Sequence, residues 1–531
     1  MSPTLDGLLA HWARAEPDRA ALHLPYGPLG PLFRATSYAA LDRRVDIVAA
    51  GLKHAGVVPG MRTALLVPPT EDFFALAFAL LRLRAVPVLV DPGIGRDKVK
   101  GCLNDARPEA FIGVTRAHLA RRMLGWCPPA HVLVTVGPAA VVGGITLGRV
   151  EQAGRWRLPF TPQERPAGAP AAILFTSGST GPPKGVEHGE EQLLAQAALV
   201  RELYDLGPKE VSLSTFPPFA LFGPALGMTT VVPRMDATRP ADVLPRRVVG
   251  AARRFGATVM FGSPALLDTL SRGGGSMPTV RRVISAGAPV PRAVQRRTLA
   301  MLGPGAQVHT PYGATEALPV ASIGSDELLG LPQGICVGRP VAGVDVALVR
   351  ITDQPIAALT SELLVADGEV GEVVVRGPVV SPRYADLPGA TAAAKLDWEG
   401  QVGHRMGDLA SRDAAGRLWF AGRKAHVVHT RQGSMFSVPC EEVFNVHPAV
   451  RRSALVGIGP AGTSTPVLCV ELEPSASASA TLTAELLALG AADSRTRCIT
   501  TVRYHPKFPV DIRHNSKIDR PALGLWAAAQ P

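Results

Sequence analysis

Apolar positions change period repeatedly along the first hundred residues. Residues Ala39–His54 space them three and four apart, as an amphipathic helix does. Thr63–Val67 and Val86–Val90 are short apolar runs of the buried-strand kind, and Phe73–Arg84 between them reads as a helix. The alternation resumes at Ala171–Thr176, Ala257–Phe261 and Arg282–Ser285, each an apolar run entering a Gly, Ser or Pro turn. Strands alternating with helices predict an α/β fold of mixed sheets flanked by helices. Further on, Glu369–Arg376 reads as a strand, and a strand pair brackets the turn-like DAAG at Asp413–Gly416. After Gly422-Arg423 the texture becomes that of a small α+β unit. The expected organisation is a large N-terminal domain over 1–422, a hinge at 423–426 and a C-terminal domain over 427–531. Ser475–Ala480 (SASASA) reads as a low-complexity surface loop, and no fixed-period repeat occurs.

Composition narrows the class. The chain has 531 residues, 47% hydrophobic and 19% charged, which is enough apolar surface for large cores and excludes wholesale disorder. The net charge is +11, and only nine of the 55 basic residues are lysine. The arginines are scattered, with no basic run interleaved with aromatics, so no nucleic-acid partner is expected. The six cysteines are far apart and form no CxxC. Neither a disulfide framework nor a zinc site is indicated, and reduced thiols in a cytoplasmic protein are expected. Charges interrupt the first apolar stretch, unlike a signal peptide. The apolar run Phe73–Leu81 is closed by Arg82, well short of the ~20 residues that span a bilayer, so no transmembrane segment is expected.

The sharpest local chemistry lies in ILFTSGSTGPPKG, residues 173–185. A strand-like run ends at Thr176, followed by Ser177, Gly178, Ser179, Thr180, Gly181, two prolines and Lys184. Gly178 and Gly181 let backbone N–H groups turn towards an anion without Cβ obstruction. Four hydroxyls can donate to phosphate oxygens, and Lys184 adds positive charge. The loop is not a Walker A motif, because no Gly-Lys pair occurs in the chain. The bland alternative is a Ser/Gly linker, which fits poorly with so many turn residues behind a buried-type strand.

TSGSTGPPKG resembles the phosphate loop of the adenylate-forming superfamily: acyl-CoA synthetases, peptide-synthetase adenylation domains and luciferases. Three more segments match in order. Tyr312–Glu316 (YGATE) resembles the adenine and magnesium motif, Gly407-Asp408 with Gly422-Arg423 the ribose-binding pair, and Asn515–Arg520 (NSKIDR) the catalytic-lysine motif. The resemblance implies the adenylate-forming enzyme fold, with a mobile α+β C-terminal domain, and ATP and Mg²⁺ as cofactors. It implies that Thr176, Ser177, Ser179, Thr180 and Lys184 hold the β- and γ-phosphates. Thr315 would bond the α-phosphate, Glu316 would hold Mg²⁺, and Tyr312, with Gly313 beside it, would pack on adenine. Ser285, Ala286, Gly287, Ala288 and Pro289 would form the other pocket wall. Asp408 would accept from both ribose hydroxyls with help from Arg423. Lys517 would bridge the attacking carboxylate and the α-phosphate.

Taken singly, Glu316 and Asp408 read as solvated or capping carboxylates, Lys517 as a surface lysine and Tyr312 as core. Their ordered occurrence reverses that reading for Glu316, Asp408 and Lys517, while core packing stays open for Tyr312. Phe216–Pro233 (FPPFALFGPALGMTTVVP) is almost free of charge. Phe216, Phe219 and Phe222, with His309 nearby, suggest an apolar acyl pocket, for which core packing is the alternative.

These variants, with VDPGIG at 90–95, FGSPALL at 261–267 and FPVDIRHNSK at 508–517, resemble the OleC-type β-lactone synthetases of bacterial olefin biosynthesis. The resemblance implies a 2-alkyl-3-hydroxy long-chain fatty acid as substrate, closed to a β-lactone through an acyl-adenylate. It also implies a multienzyme assembly with a hydrolase and a reductase. His188 and His309 lie beside the motifs and are candidates for the ring-closing base, with a structural role as the alternative for each. Ala425 stands where many acyl-CoA synthetases place Asp or Lys, and Gly433 sits in an atypical RQGSMF loop. Both argue against CoA chemistry. An acyl-CoA or acyl-carrier ligase of the same fold stays open, as does a non-catalytic nucleotide- or lipid-binding scaffold.

Overall fold

A computed structural model describes residues 4–27, 32–138, 143–176, 181–510 and 517–530. The chain divides into two units. The first comprises Met1–Pro319, Val341–Gly343 and Gly377–Ala392, and the second Val320–Pro340, Val344–Arg376 and Ala393–Pro531.

The first unit holds two sheets. One has the strand order Arg383–Tyr384, Gly185–His188, Ala172–Phe175, Val86–Leu89, Arg62–Leu66, Ala110–Val114, Val132–Val136 and Ile145–Thr146. The two pairings at the Arg383–Tyr384 edge are antiparallel and the rest parallel. Parallel strands are covered on both faces, which is why they appear in the sequence as continuous apolar runs. The helix Glu71–Arg82 packs into that cover and is buried from Phe73 to its end. Arg82, which closes the apolar run, is buried with it. Asp42 and Asp46 accept its hydrogen bonds at 2.6 and 2.7 Å, and Asp6 lies 3.5 Å away. Helices Tyr38–His54 and Leu147–Arg155 meet at two glycines. A Cβ on Gly51 would lie 2.0 Å from the Val150 carbonyl oxygen, and one on Gly154 would lie 1.9 Å from that of Ile47.

The second sheet of this unit runs Gln307–Ala314, Arg282–Ile284, Val259–Phe261, Val211–Ser214, Thr229–Val231 and Ala20–Pro25, all parallel, with Phe33–Ser37 antiparallel at the edge. Its parallel strands end at a common edge, where loops are free to carry chemistry. The sequence-predicted strands and helices form within two residues of their expected limits.

The second unit is largely antiparallel. Asp345–Val349, Gly371–Arg376, Gln401–Arg412, Leu418–Arg423 and Cys336–Pro340 are neighbours in that order. The DAAG segment is the expected turn: Asp413 N donates to Arg417 O at 3.0 Å, and Gly416 supplies a φ of +76°. The strands Val450–Ile458, Thr465–Leu472 and Thr501–Tyr504 carry helices Ser437–Asn445, Ala480–Ala492 and Arg520–Ala528. SASASA is more than a loop, because Ser479 caps the helix Ala480–Ala492 by accepting from Leu482 N at 3.1 Å.

All six cysteines are free thiols. Burial pushes Cys102, Cys127, Cys440 and Cys469 up to about 12, so they stay protonated and serve as packing. Among the described residues no helix is long and apolar enough to cross a membrane.

Candidate active site

The strand Ala172–Phe175 ends at Thr176, and Lys184 opens the antiparallel partner Gly185–His188. The two residues clasp the base of the loop between them. Thr176 N donates to Lys184 O, and Lys184 N donates to Thr176 Oγ1, each at 3.1 Å. The Thr176 hydroxyl keeps its hydrogen for another acceptor. Gly181 is exposed. Ser177, Gly178, Ser179 and Thr180 lie outside the described residues.

The edge of this sheet supplies a residue that sequence reasoning missed. Arg383–Tyr384 pairs with Gly185–His188 in the register Tyr384↔Val186 and Arg383↔Glu187. Arg383 Nε lies 2.6 Å from Glu187 Oε2. Tyr384 is buried, and its hydroxyl donates to Glu316 Oε1 at 2.6 Å. Lys184 Nζ lies 5.0 Å from the centre of the same ring. Lys184 and the carboxylate of YGATE thus meet on one tyrosine. Its only signal in the sequence is the aromatic that ends GPVVSPRY, shortly after the strand Gly371–Arg376.

Glu316 is 8% exposed and has no ion-pair partner among the described residues. A buried carboxylate without a cation is costly. No group of three or more metal-ligating side chains occurs among the described residues. A lone carboxylate suits Mg²⁺, which binds through one or two carboxylates and takes its other ligands from phosphates and water. The residues present therefore fit that ion arriving with a nucleotide.

The other candidates of this unit sit at the C-terminal edge of the second sheet. Ser285 follows Arg282–Ile284, is 1% exposed and donates its N–H to His309 O at 2.9 Å. Gly287, at φ +95°, turns the loop that carries Ala286, Ala288 and Pro289. Tyr312 and Gly313 belong to the strand Gln307–Ala314, while Thr315 and Glu316 form the turn into Ala317–Gly324. The His309 ring lies 5.1 Å from that of Tyr204. His188 is fully enclosed in its strand.

Phe216, Phe219 and Phe222 follow the strand Val211–Ser214 and are half-buried. Phe219 stacks on Phe261 at 4.2 Å, with Phe216 at 5.8 Å from Phe261 and Phe222 edge-on to Phe219 at 5.6 Å. One side of this cluster packs on the core and part of each ring stays open. That is compatible with both sequence alternatives.

In the second unit, Asp408 and Arg423 face each other across Gln401–Arg412 and Leu418–Arg423. Arg423 Nη1 donates to Asp408 Oδ1 at 2.9 Å and to Met406 O at 3.0 Å. Lys517 precedes a closed loop base, formed by the Val510–Ile518 bridge and by Asp519 N donating to Pro509 O at 2.8 Å. Asp519 caps the helix Arg520–Ala528, whose first residue is fixed by a two-point bond from its guanidinium to Glu441. Nearby, His426 is held at about 3 by burial and by the charges of Arg520 and Arg423.

Comparison with known proteins gives this arrangement a relationship. The family profile described as AMP-binding enzyme matches residues 9–385. The "Olefin beta-lactone synthetase" of Xanthomonas campestris pv. campestris is 47% identical, over 98% of this chain and 97% of that protein. The protein of the same name from Stenotrophomonas maltophilia is 46% identical over the same shares. The structure of the amide bond synthetase McbA from Marinactinospora thermotolerans superposes with a TM-score of 0.81 at 23% identity, covering 99% of this chain and all of that one, a likeness of fold. The chain therefore belongs to the AMP-binding enzyme family, the adenylate-forming ligases, within the branch of the olefin beta-lactone synthetases.

Proposed function

We propose that the protein closes 2-alkyl-3-hydroxy long-chain fatty acids to β-lactones at the expense of ATP. The near-full-length likeness to olefin beta-lactone synthetases carries this reading. The pairing of Asp408 with Arg423 and the meeting of Lys184 and Glu316 on Tyr384 support it.

In the first step a carboxylate oxygen attacks the α-phosphorus of ATP and pyrophosphate leaves, giving the acyl-adenylate. Two anions must meet, so the site has to cancel charge and fix the line of approach. Ser177, Ser179, Thr180 and Lys184 hold the β- and γ-phosphates, with Thr176 at the loop base and Gly178 and Gly181 leaving room for the backbone. Thr315 bonds the α-phosphate. Glu316 holds Mg²⁺, which when bound offsets phosphate charge. Tyr312 with Gly313 and the Ser285–Pro289 loop enclose adenine, and Asp408 with Arg423 takes the ribose. Lys517 donates to the carboxylate and the α-phosphate oxygen as charge develops. It is carried by the 427–531 lobe, which turns about residues 423–426.

In the second step the substrate's own β-hydroxyl attacks the adenylate carbonyl. The C–O bond to AMP breaks, the ring closes, and the hydroxyl proton is lost. Nucleophile and electrophile share one molecule, so proximity favours closure. His309 is the candidate to take the proton, and Phe216, Phe219 and Phe222 line the alkyl chains. A cytoplasmic assembly with a hydrolase and a reductase would supply and consume the lipids.

The test supplies ATP, Mg²⁺ and a racemic 2-alkyl-3-hydroxy acid without CoA. The expected product is lighter than the acid by one water, with AMP and pyrophosphate released. A strict requirement for CoA or a carrier would make the protein an acyl ligase instead. Absence of ATP–pyrophosphate exchange with every acid would leave a non-catalytic binding protein.

A further inference from the structure

We infer that Tyr384 is a positioning residue that orients the Glu316 carboxylate for the metal-bound nucleotide, while its ring engages the Lys184 ammonium. The inference rests on the adenylation reading above and adds to it a residue that no sequence motif named.

Three observations carry it. Glu316 is buried without a cation among the described residues, so its charge requires hydrogen bonding to be tolerable. Tyr384 is the only hydrogen-bond donor to that carboxylate among the described residues, at 2.6 Å to Oε1. Oε2 is thereby left for a further ligand. Lys184, although one aromatic ring away, makes no ion pair with Glu316 but lies 5.0 Å from the Tyr384 ring centre. An ammonium on an aromatic face gains a cation–π attraction and keeps its three N–H donors. A direct Lys184–Glu316 pair would consume both the cation meant for phosphate and the carboxylate meant for metal.

The tyrosine is itself fixed from several sides. Its backbone N donates to Thr391 Oγ1 at 3.1 Å, it is in register with Val186, and the preceding Arg383 is ion-paired to Glu187. A second tie holds the next turn, where Arg62 bonds both carboxylate oxygens of Asp386. The phenol is thus built into the sheet edge rather than left to find its place. Supporting shells of this kind hold a functional carboxylate in one orientation.

The test is Tyr384→Phe, which keeps the ring and its packing and removes only the hydroxyl. Two quantities are read. One is ATP binding by calorimetry, with saturating Mg²⁺ and in EDTA. The other is the half-saturating Mg²⁺ in ATP–pyrophosphate exchange. Loss of a hydrogen bond to a charged group should raise the half-saturating Mg²⁺ about tenfold and erase the Mg²⁺ advantage in ATP binding by a similar factor. Affinity in EDTA should stay within about twofold. Equal losses with and without Mg²⁺ mean a general structural role and overturn the inference, as does an unchanged Mg²⁺ dependence.

Glu316→Gln provides the second arm. If Tyr384 acts through Glu316, adding Tyr384→Phe to Glu316→Gln changes the Mg²⁺ dependence no further. A further change places the action elsewhere and overturns the inference. A wild-type protein that binds ATP but never exchanges pyrophosphate would sink the adenylation reading, while the calorimetric arms would still decide the role of Tyr384.

Discussion

Asp408 and Arg423 occupy opposing positions on adjacent antiparallel strands, and their side chains meet at 2.9 Å. Asp408 is 6% exposed, and the Arg423 guanidinium holds its carboxylate in place. On the proposed ribose contact, Asp408→Ala should weaken ATP binding by about tenfold or more, the loss expected for charge-assisted hydrogen bonds. The KM for the fatty acid should change little. Titration with ATP and with the acid separates the two.

Lys517→Ala should slow adenylation far more than it weakens ATP binding. A donor aimed at charge that develops in the transition state is worth about 2.7–4 kcal/mol, or roughly two to three powers of ten in rate. Single-turnover pyrophosphate release and equilibrium ATP binding measure the two effects. Equal losses in both would remove Lys517 from its assigned place.

Phe219→Ala should raise the KM for long-chain acids and leave that for ATP unchanged, because Phe219 stacks on Phe261 and is still partly open. If the ring belongs only to the core, the same change should instead lower stability by about 3–5 kcal/mol, as loss of a core phenylalanine does. Denaturant midpoints and substrate titrations separate these outcomes.

His426 makes stability pH-dependent. Burial, then Arg520 and Arg423, hold it at about 3 against an ordinary 6.5. Between these values the unfolded chain binds a proton that the folded chain does not. Stability is therefore full above pH 6.5 and falls as pH drops towards 3, by up to about 1.4 kcal/mol per pH unit. His426→Gln should flatten this slope in urea unfolding between pH 7 and pH 5.

Gly154→Val should destabilise the first unit by about 1–3 kcal/mol or more, because the new side chain would enter the Ile47 carbonyl at the helix crossing. Thermal unfolding measures it, and Gly148→Ala on the same helix, where a Cβ meets nothing within 4 Å, is the control.

Much of the fold is legible in the sequence because buried parallel strands have an unmistakable apolar texture. The run TSGSTGPPKG is conspicuous in the sequence because glycine, hydroxyls and lysine in a compact run suit phosphate chemistry, while its residues 177–180 lie outside the described residues. Tyr384 is not, since its strand is two residues long and its neighbour Arg383 finds Glu187 across 196 positions of chain. No local period marks such a pairing. Arg82 is a related case. A lone arginine after nine apolar residues suggests an exit to solvent, yet three distant aspartates let it stay inside. Ser479 shows a smaller loss, since a repetitive tract conceals which serine ends it as a helix cap.

The Arg383–Tyr384 strand also bears on how the molecule comes together during synthesis. The Gly185–His188 strand emerges from the ribosome long before its outer neighbour does. Until residue 384 has followed, Glu187 lacks its Arg383 partner and one edge of the sheet stands open. A nascent chain halted shortly before that point should expose this edge to other strands, and a few added residues should close it. The Glu316 carboxylate and Lys184 would then acquire their common tyrosine in the same late event that seals the sheet.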